Sequence, residues 1–283
     1  MLVVMAGLVA GGVIWVVRAQ RKPVARETGN PALTPMIPTA VRIPLAAAPE
    51  EETALKLVRA FLAARAPADL EPLIRPSSQD PAVIVGKLAD LEKSDGKVDS
   101  LRHLGPVDSR ALQLEGVVVD FEGGRNRLAL ISPDTDGKWR VDFDAFDRHS
   151  SPDWTTLLAG KPVTGLVRVF TSPDFYYNGI YRDETAWACF AIASPDNDTL
   201  MYGYVPRTSS QFEALGKITA GDSAGPARPG ARGKSVRVTL EILHQEGADP
   251  RQFEITRVLS DEWAIGAQPL DEKLSRPLSA KVK

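Results

Sequence analysis

Cysteine is nearly missing from this chain: Cys189 is the one thiol in 283 residues. A lone cysteine excludes an intrachain disulfide and any zinc site built from thiolates. Histidine is scarce as well. His103, His149 and His244 sit on three separate segments, with no His-x-x-x-His and no mixed Cys/His spacing, so no metal centre is expected. A surplus of one charge is also absent. The 34 Lys+Arg against 36 Asp+Glu leave a net charge of −2, which gives no electrostatic footprint for nucleic acid. There is no Gly-x-Ser-x-Gly elbow, the usual sign of a serine hydrolase. "RPGARGKS" ends like a phosphate-binding loop, but Arg228 stands where the motif needs its first glycine, and a strand pattern follows instead of a helix. Nucleotide binding by that route is excluded, and no cofactor is expected. Glycine and proline crowd residues 220–234, which read as a mobile loop.

Apolar residues are not lacking. At 43% hydrophobic and 25% charged, the chain can build a core. Residues 1–17, "MLVVMAGLVAGGVIWVV", carry no charged side chain, and Arg18, Arg21 and Lys22 follow at once. A helix of that length spans roughly 26 Å, enough for a short membrane crossing. A cleaved signal peptide is the alternative, but the basic n-region and the small-x-small cleavage site are both missing. The expectation is a single-pass anchor over 1–20 at a cell membrane, with Gly7, Gly11 and Gly12 as weak helix-packing positions. Positive charge lies only after the span, so the charge rule places the globular part in the cytoplasm if Met1 is the true start. Without that premise the side is open.

Residues 21–49 form a proline-rich linker, with Pro23, Pro31, Pro35, Pro38, Pro44 and Pro49 and no amphipathic period. Extended in polyproline II, such a spacer reaches roughly 80 Å at most. Folding is expected from residue 50. "PEEETALKLVRAFLAAR" starts with three glutamates at the positive end of a helix dipole, and Leu55, Val58, Phe61 and Leu62 make one stripe. "ADLEPLIRP" holds only a short turn of helix. "DPAVIVGKLADLEKSDG" reads as a third helix with Asp80 as N-cap, Pro81 at its first position and Gly96 at its end.

After residue 98 the apolar period falls to two. "RALQLEGVVVDF" alternates, but its parity flips at Glu115-Gly116, which predicts a β-bulge there. "RNRLALI" and "KWRVDFDAF" flank the turn-rich "SPDTDG" and predict a hairpin. Pairing Leu130 with Val141 gathers the apolar residues on one face, with Trp139, Val141 and Phe143 inward. Asp142 and Asp144, like Asp120, then point to solvent. On that reading changing both Asp142 and Asp144 to Asn costs about 0–1 kcal/mol. Trp139→Ala costs about 3–5 kcal/mol.

A long helix, a short one, a third, then a curved sheet ending in "DGKWRVDF" resembles the NTF2-like (cystatin-like α+β, SnoaL-type) superfamily over residues 50–147. The resemblance implies a sheet wrapped around the first helix, leaving a cone-shaped pocket. It also implies a choice of functions, from isomerases, dehydratases and epoxide hydrolases to non-catalytic binding or assembly modules.

A second small α+β domain is expected over 151–266. Ser151 would cap and Pro152 open a two-turn helix stopped by Gly160, with strands at about 162–171, 184–194 and 198–205. A helix over 209–219 should bury Phe212, Leu215 and Ile218. "SVRVTLEIL" alternates cleanly, with Val236, Val238, Leu240 and Ile242 inward. "SDEWAI" near the end echoes "DGKWRV", which raises the idea of a diverged second copy. Residues 267–283 read as a flexible tail.

All five tyrosines, Tyr176, Tyr177, Tyr181, Tyr202 and Tyr204, fall in one stretch of the second half. Such clusters recur at binding surfaces, though tyrosine is also an ordinary strand residue. They are the candidate ligand- or partner-binding residues, around an Asn178-Gly179 turn. The fold class is therefore α+β behind a membrane anchor. The functional expectation is a membrane-anchored, non-enzymatic binding or assembly module of bacterial type, with a protein partner or small apolar ligand and self-association open to it. The alternative is an NTF2-like lyase, isomerase or hydrolase acting on a small apolar molecule. A pocket filled by its own side chains favours the module; an inward carboxylate or histidine at a pocket base favours the enzyme.

Overall fold

The computed structural model describes residues 46–220 and 234–275. The anchor expected over 1–20, the linker up to residue 45, the loop at 221–233 and residues 276–283 lie outside them. Among the described residues no helix is long and apolar enough to cross a membrane.

The N-terminal half follows the expected order. Helix α1 (Glu51–Ala63) has Glu51 and Glu52 in its first turn and buries Ala54, Val58 and Phe61. A short α2 (Pro67–Leu70) precedes α3 (Pro81–Asp95). Asp80 caps α3 by accepting from the Ala82 amide at 2.8 Å, and Gly96 ends it at φ 95°, a conformation that favours glycine. Strands β1 (Val98–Val107), β2 (Leu114–Phe121), β3 (Asn126–Pro133) and β4 (Trp139–Val141) form an antiparallel sheet in that order. Val117, Val119 and Phe121 face the helices. Phe61 meets Phe143 and Phe146 edge-on, with centroids at 6.2 and 5.2 Å.

The bulge is not where the parity flip placed it. β2 pairs with β3 without interruption from Glu115 to Asp120. The irregularity lies in β1, where His103 faces Val117 but Gly105 faces Gly116, leaving Leu104 as the extra residue. The flip has another cause: this end of β2 is covered on both sides. Leu114 packs toward the C-terminal half while Val117 packs on the helices.

The C-terminal half is a closed barrel. Strands β5 (Val163–Asp174), β6 (Trp187–Ser194), β7 (Asn197–Pro206), β8 (Val236–His244) and β9 (Gln252–Ser260) run in the order β5-β6-β7-β9-β8, and β8 pairs back to β5. All pairs are antiparallel except β7 with β9. A helix (Ser210–Thr219) joins β7 to β8. That makes a five-stranded Greek-key barrel of the OB type. Val238, Leu240 and Ile242 point inward as the alternation predicts, and Ser209 caps the connecting helix.

Three expectations are corrected here. Asp153, not Ser151, caps the short helix Trp154–Leu157, accepting from the Thr156 amide, while Ser151 bridges to Leu166 on β5. The "flexible tail" is helical over Leu270–Ser275, with Leu270 and Asp271 buried. The tryptophan echo has no structural counterpart: Trp139 opens β4, whereas Trp263 lies beyond the end of β9. An open meander and a closed barrel are not copies of one another.

The two sheets share a seam. Trp263 and Ala264 pack on Leu114, Leu130 and Ala145, and the Phe170 ring meets Trp263 edge-on at 5.3 Å.

Candidate functional site

Two places gather chemistry: the seam, and the outer face of β6 and β7. At the seam, the hairpin register differs by one residue from expectation, with Ile131 opposite Val141. The cause is that β4 stops at Val141, because Asp142 turns the chain into a helix over Phe143–Phe146 by accepting from the Ala145 amide at 2.9 Å. Asp142 and Asp144 are therefore not a solvated strand face. Both turn into the seam.

Asp142 accepts from Arg75 Nη1 at 2.8 Å. Burial pushes its carboxyl above the usual range, more than Arg75 and the Ala145 amide lower it. Asp144 accepts from Ser77 Oγ at 2.5 Å, Ser78 Oγ at 2.8 Å and the Ser78 amide at 3.1 Å. Burial pushes Asp144 up as well, but those serine bonds outweigh it, and its carboxyl sits below the usual range. Arg168 reaches across from the barrel, donating to Trp263 O and His149 O at 2.8 Å each, with Nη2 at 3.8 Å from Asp144. Burial holds the His149 imidazole below its ordinary value, hence neutral at pH 7.

A cleft of about 470 Å³ opens here, lined by Ser78, Asp144, His149, Arg168, Glu241 and Ile265 among others. Its lining mixes polar side chains with Leu166, Leu259 and Ile265, and its chemistry is limited. Asp144 is saturated by serine donors, and Ser78 gives its hydroxyl proton to Asp144, not to His149. No nucleophile–base pair is formed. Arg168 escaped the sequence reading, although a charge between Val167 and Val169 on a strand buried on both faces was its signal.

On the barrel, segment 175–186 folds back over the outer face of β6 and β7 and gathers the tyrosines. Tyr181 and Tyr204 are buried and Tyr176, Tyr177 and Tyr202 half-buried, around Cys189, Trp187 and Ala248. Tyr176 stacks on Tyr202 with centroids 4.2 Å apart. Asn178 does not make a hairpin turn; it caps a 3-10 turn, Gly179–Tyr181. The cluster is thus largely interior, and Tyr181 and Tyr204 have no ring face to offer a partner. What reaches solvent is its rim, with Phe175 62% and Ile180 43% exposed. Burial pushes the Cys189 thiol up to about 12, so it is no nucleophile at neutral pH. His244 is buried with Nε2 3.3 Å from Asp249 O, and among the described residues no metal-binding cluster occurs.

Compared with known protein families, with characterised proteins and with solved structures, the chain matches none.

Proposed function

We propose that this is a membrane-anchored, non-enzymatic binding or assembly module. Residues 1–20 supply the tether, and the aromatic rim of the barrel contacts a protein partner. The observation that carries this reading is the filled interior of the N-terminal half. Phe61, Phe143 and Phe146 occupy the space between helices and sheet where an NTF2-like enzyme would hold its substrate. The seam supports it too, since its carboxylates are spent on structural bonds. In OB-type barrels the face of the second and third strands, with the loop after the first, carries ligands. Here Phe175 and Ile180 stand exposed on that loop.

The rival reading, an NTF2-like lyase, isomerase or hydrolase, draws on the neutral His149 in the seam cleft. With Asp144 taken up by Ser77 and Ser78, the cleft offers such a reaction no free carboxylate base at that position. The deciding experiment is recovery of bound proteins by the full-length chain and by a Phe175→Ser, Ile180→Ser variant. A partner lost at unchanged melting temperature supports the module. Recovery that ignores both substitutions removes the rim from the proposal.

A further inference from the structure

A second cavity, of about 710 Å³, opens at the β1–β2 end of the seam, away from the tyrosines. Its walls come from the incoming chain at Ala48, the β1–β2 connection from Pro106 to Glu115, and Lys273 of the last helix. Half of the lining residues are apolar: Ala48, Pro106, Val107, Ala111, Leu112 and Leu114. Asp108, Arg110 and Lys273 are exposed at the rim, and both cations are engaged. Arg110 Nη1 lies 3.3 Å from Asp261, and Lys273 donates to Arg110 O.

Among the described residues Glu115 is the single lining residue that is both charged and buried, at 3% exposure. Among the described residues its carboxylate has one polar neighbour, the His103 imidazole, with Nε2 at 3.3 Å. The two are close without being aligned for a hydrogen bond, and His103 Nε2 is buried without any partner. The Glu115 carboxylate thus takes no hydrogen bond from the described residues and stands at the cavity wall, where a ligand's donor can reach it. The volume is that of a small-molecule site and far exceeds what one water needs.

We infer that this cavity binds a small organic amine, its ammonium group donating to Glu115 and its carbon chain lying against Pro106, Val107, Leu112 and Leu114. This inference is independent of the aromatic rim. An ammonium supplies the missing donors as a charge-assisted bond, and the apolar walls select a carbon stem over a hydrated metal ion.

The test is titration of the full-length protein with n-alkylamines from propyl to octyl, followed by NMR or calorimetry. Matching n-alkanols and alkanoates are the controls. Saturable amine binding is expected, strengthening with chain length, with the alkanols about tenfold or more weaker. Glu115→Gln should weaken amine binding about tenfold or more while leaving the melting temperature unchanged or higher. Should that variant fail to fold, Ala48→Trp decides, because Ala48 is exposed and a ring there fills the cavity from outside. It should abolish binding at unchanged melting temperature. No saturable amine binding, equal affinity in Glu115→Gln, a preference for alkanoates, or full binding by Ala48→Trp would each overturn the inference.

Discussion

The rings of Tyr181 and Tyr204 lie 4.1 Å apart and parallel to within 2°, yet their hydroxyls meet opposite fates. Tyr204 Oη donates to Tyr176 O at 2.6 Å and accepts from Gln252 Nε2 at 3.0 Å. Tyr181 Oη is buried without a partner. Burial pushes both phenols well above their ordinary value. The stack pins segment 175–186 to the barrel, so one ring holds through its polar tip and the other through its area alone.

Phenylalanine substitutions separate the two roles. Tyr204→Phe removes the hydroxyl's bond to the Tyr176 carbonyl and one of the two acceptors of Gln252 Nε2, and should cost about 1–2 kcal/mol. Tyr181→Phe removes an orphaned hydroxyl and should leave stability unchanged or raise it by up to about 1 kcal/mol. Urea unfolding of both variants measures the difference. Equal losses would mean that Tyr181 Oη has a polar partner in solution.

The seam aspartates differ in the sign of their pH dependence. The folded state holds Asp144 below its unfolded value, so its contribution is present above the unfolded carboxylate pKa and lost as pH falls through the folded one. Asp142 is raised, so its contribution is present below the unfolded pKa and lost as pH rises through the folded one. Asp144→Asn should therefore cost about 1–3 kcal/mol at pH 7, with the gap to wild type closing below about pH 4. Asp142→Asn should cost less at pH 7, because asparagine can still cap the Ala145 amide and Arg75 keeps Ile265 O at 3.2 Å. Melting curves between about pH 3 and pH 8 test the order; a larger loss for Asp142→Asn would refute it.

Period and punctuation made most of the elements legible. Asp80-Pro81 with Gly96 fixed α3, and the alternation of Val238, Leu240 and Ile242 fixed the inward face of β8. What escaped depends on contacts between distant residues. Alternation over Trp139 to Phe143 could not reveal that Asp142 stops the strand, since the Arg75 and Ser77 groups that stabilise the turned aspartates lie 67 residues away. Burial on both faces misled in the same way. At Glu115 it looked like a bulge in β2, when β2 is regular against β3 and the extra residue, Leu104, stands opposite on β1. The tyrosines were correctly grouped, but grouping does not distinguish a surface from a layer under a folded-back loop.

Of the two tryptophans of the echoing motifs, Trp263 rather than Trp139 should carry the large cost that the sequence reading assigned to Trp139. Trp263 is 4% exposed, packs in the seam and donates from Nε1 to Val169 O at 3.1 Å. Trp263→Ala should cost about 3–5 kcal/mol. Trp139 is only half-buried at the sheet edge, with Nε1 3.0 Å from Ala47 O. Its truncation should fall below that range. Calorimetry of the two variants ranks them, and a larger loss at Trp139 would place the greater burial at the sheet edge.

Gly203 tests how tightly the barrel is packed. It lies on β7 between Phe190 and Phe253, and a Cβ there would come within 2.6 Å of Ile255 Cδ1 and 2.7 Å of Ile192 Cδ1. Its backbone is not in the left-handed region, so conformational freedom is not the reason for glycine. Replacing it by alanine removes unfolded-state entropy, a gain of about 0.4–1 kcal/mol. Overpacking a closed core costs about 1–3 kcal/mol, so packing should win and Gly203→Ala should destabilise. The clash identifies its own remedy. Ile255→Val deletes the Cδ1 nearest the new methyl. Alone it costs about 0.5–1.5 kcal/mol, but in the Gly203→Ala background it should cost less, or nothing. A double-mutant cycle measures that coupling. Strict additivity would mean that the barrel gives way elsewhere and that Gly203 is not the point where β7 meets Ile255.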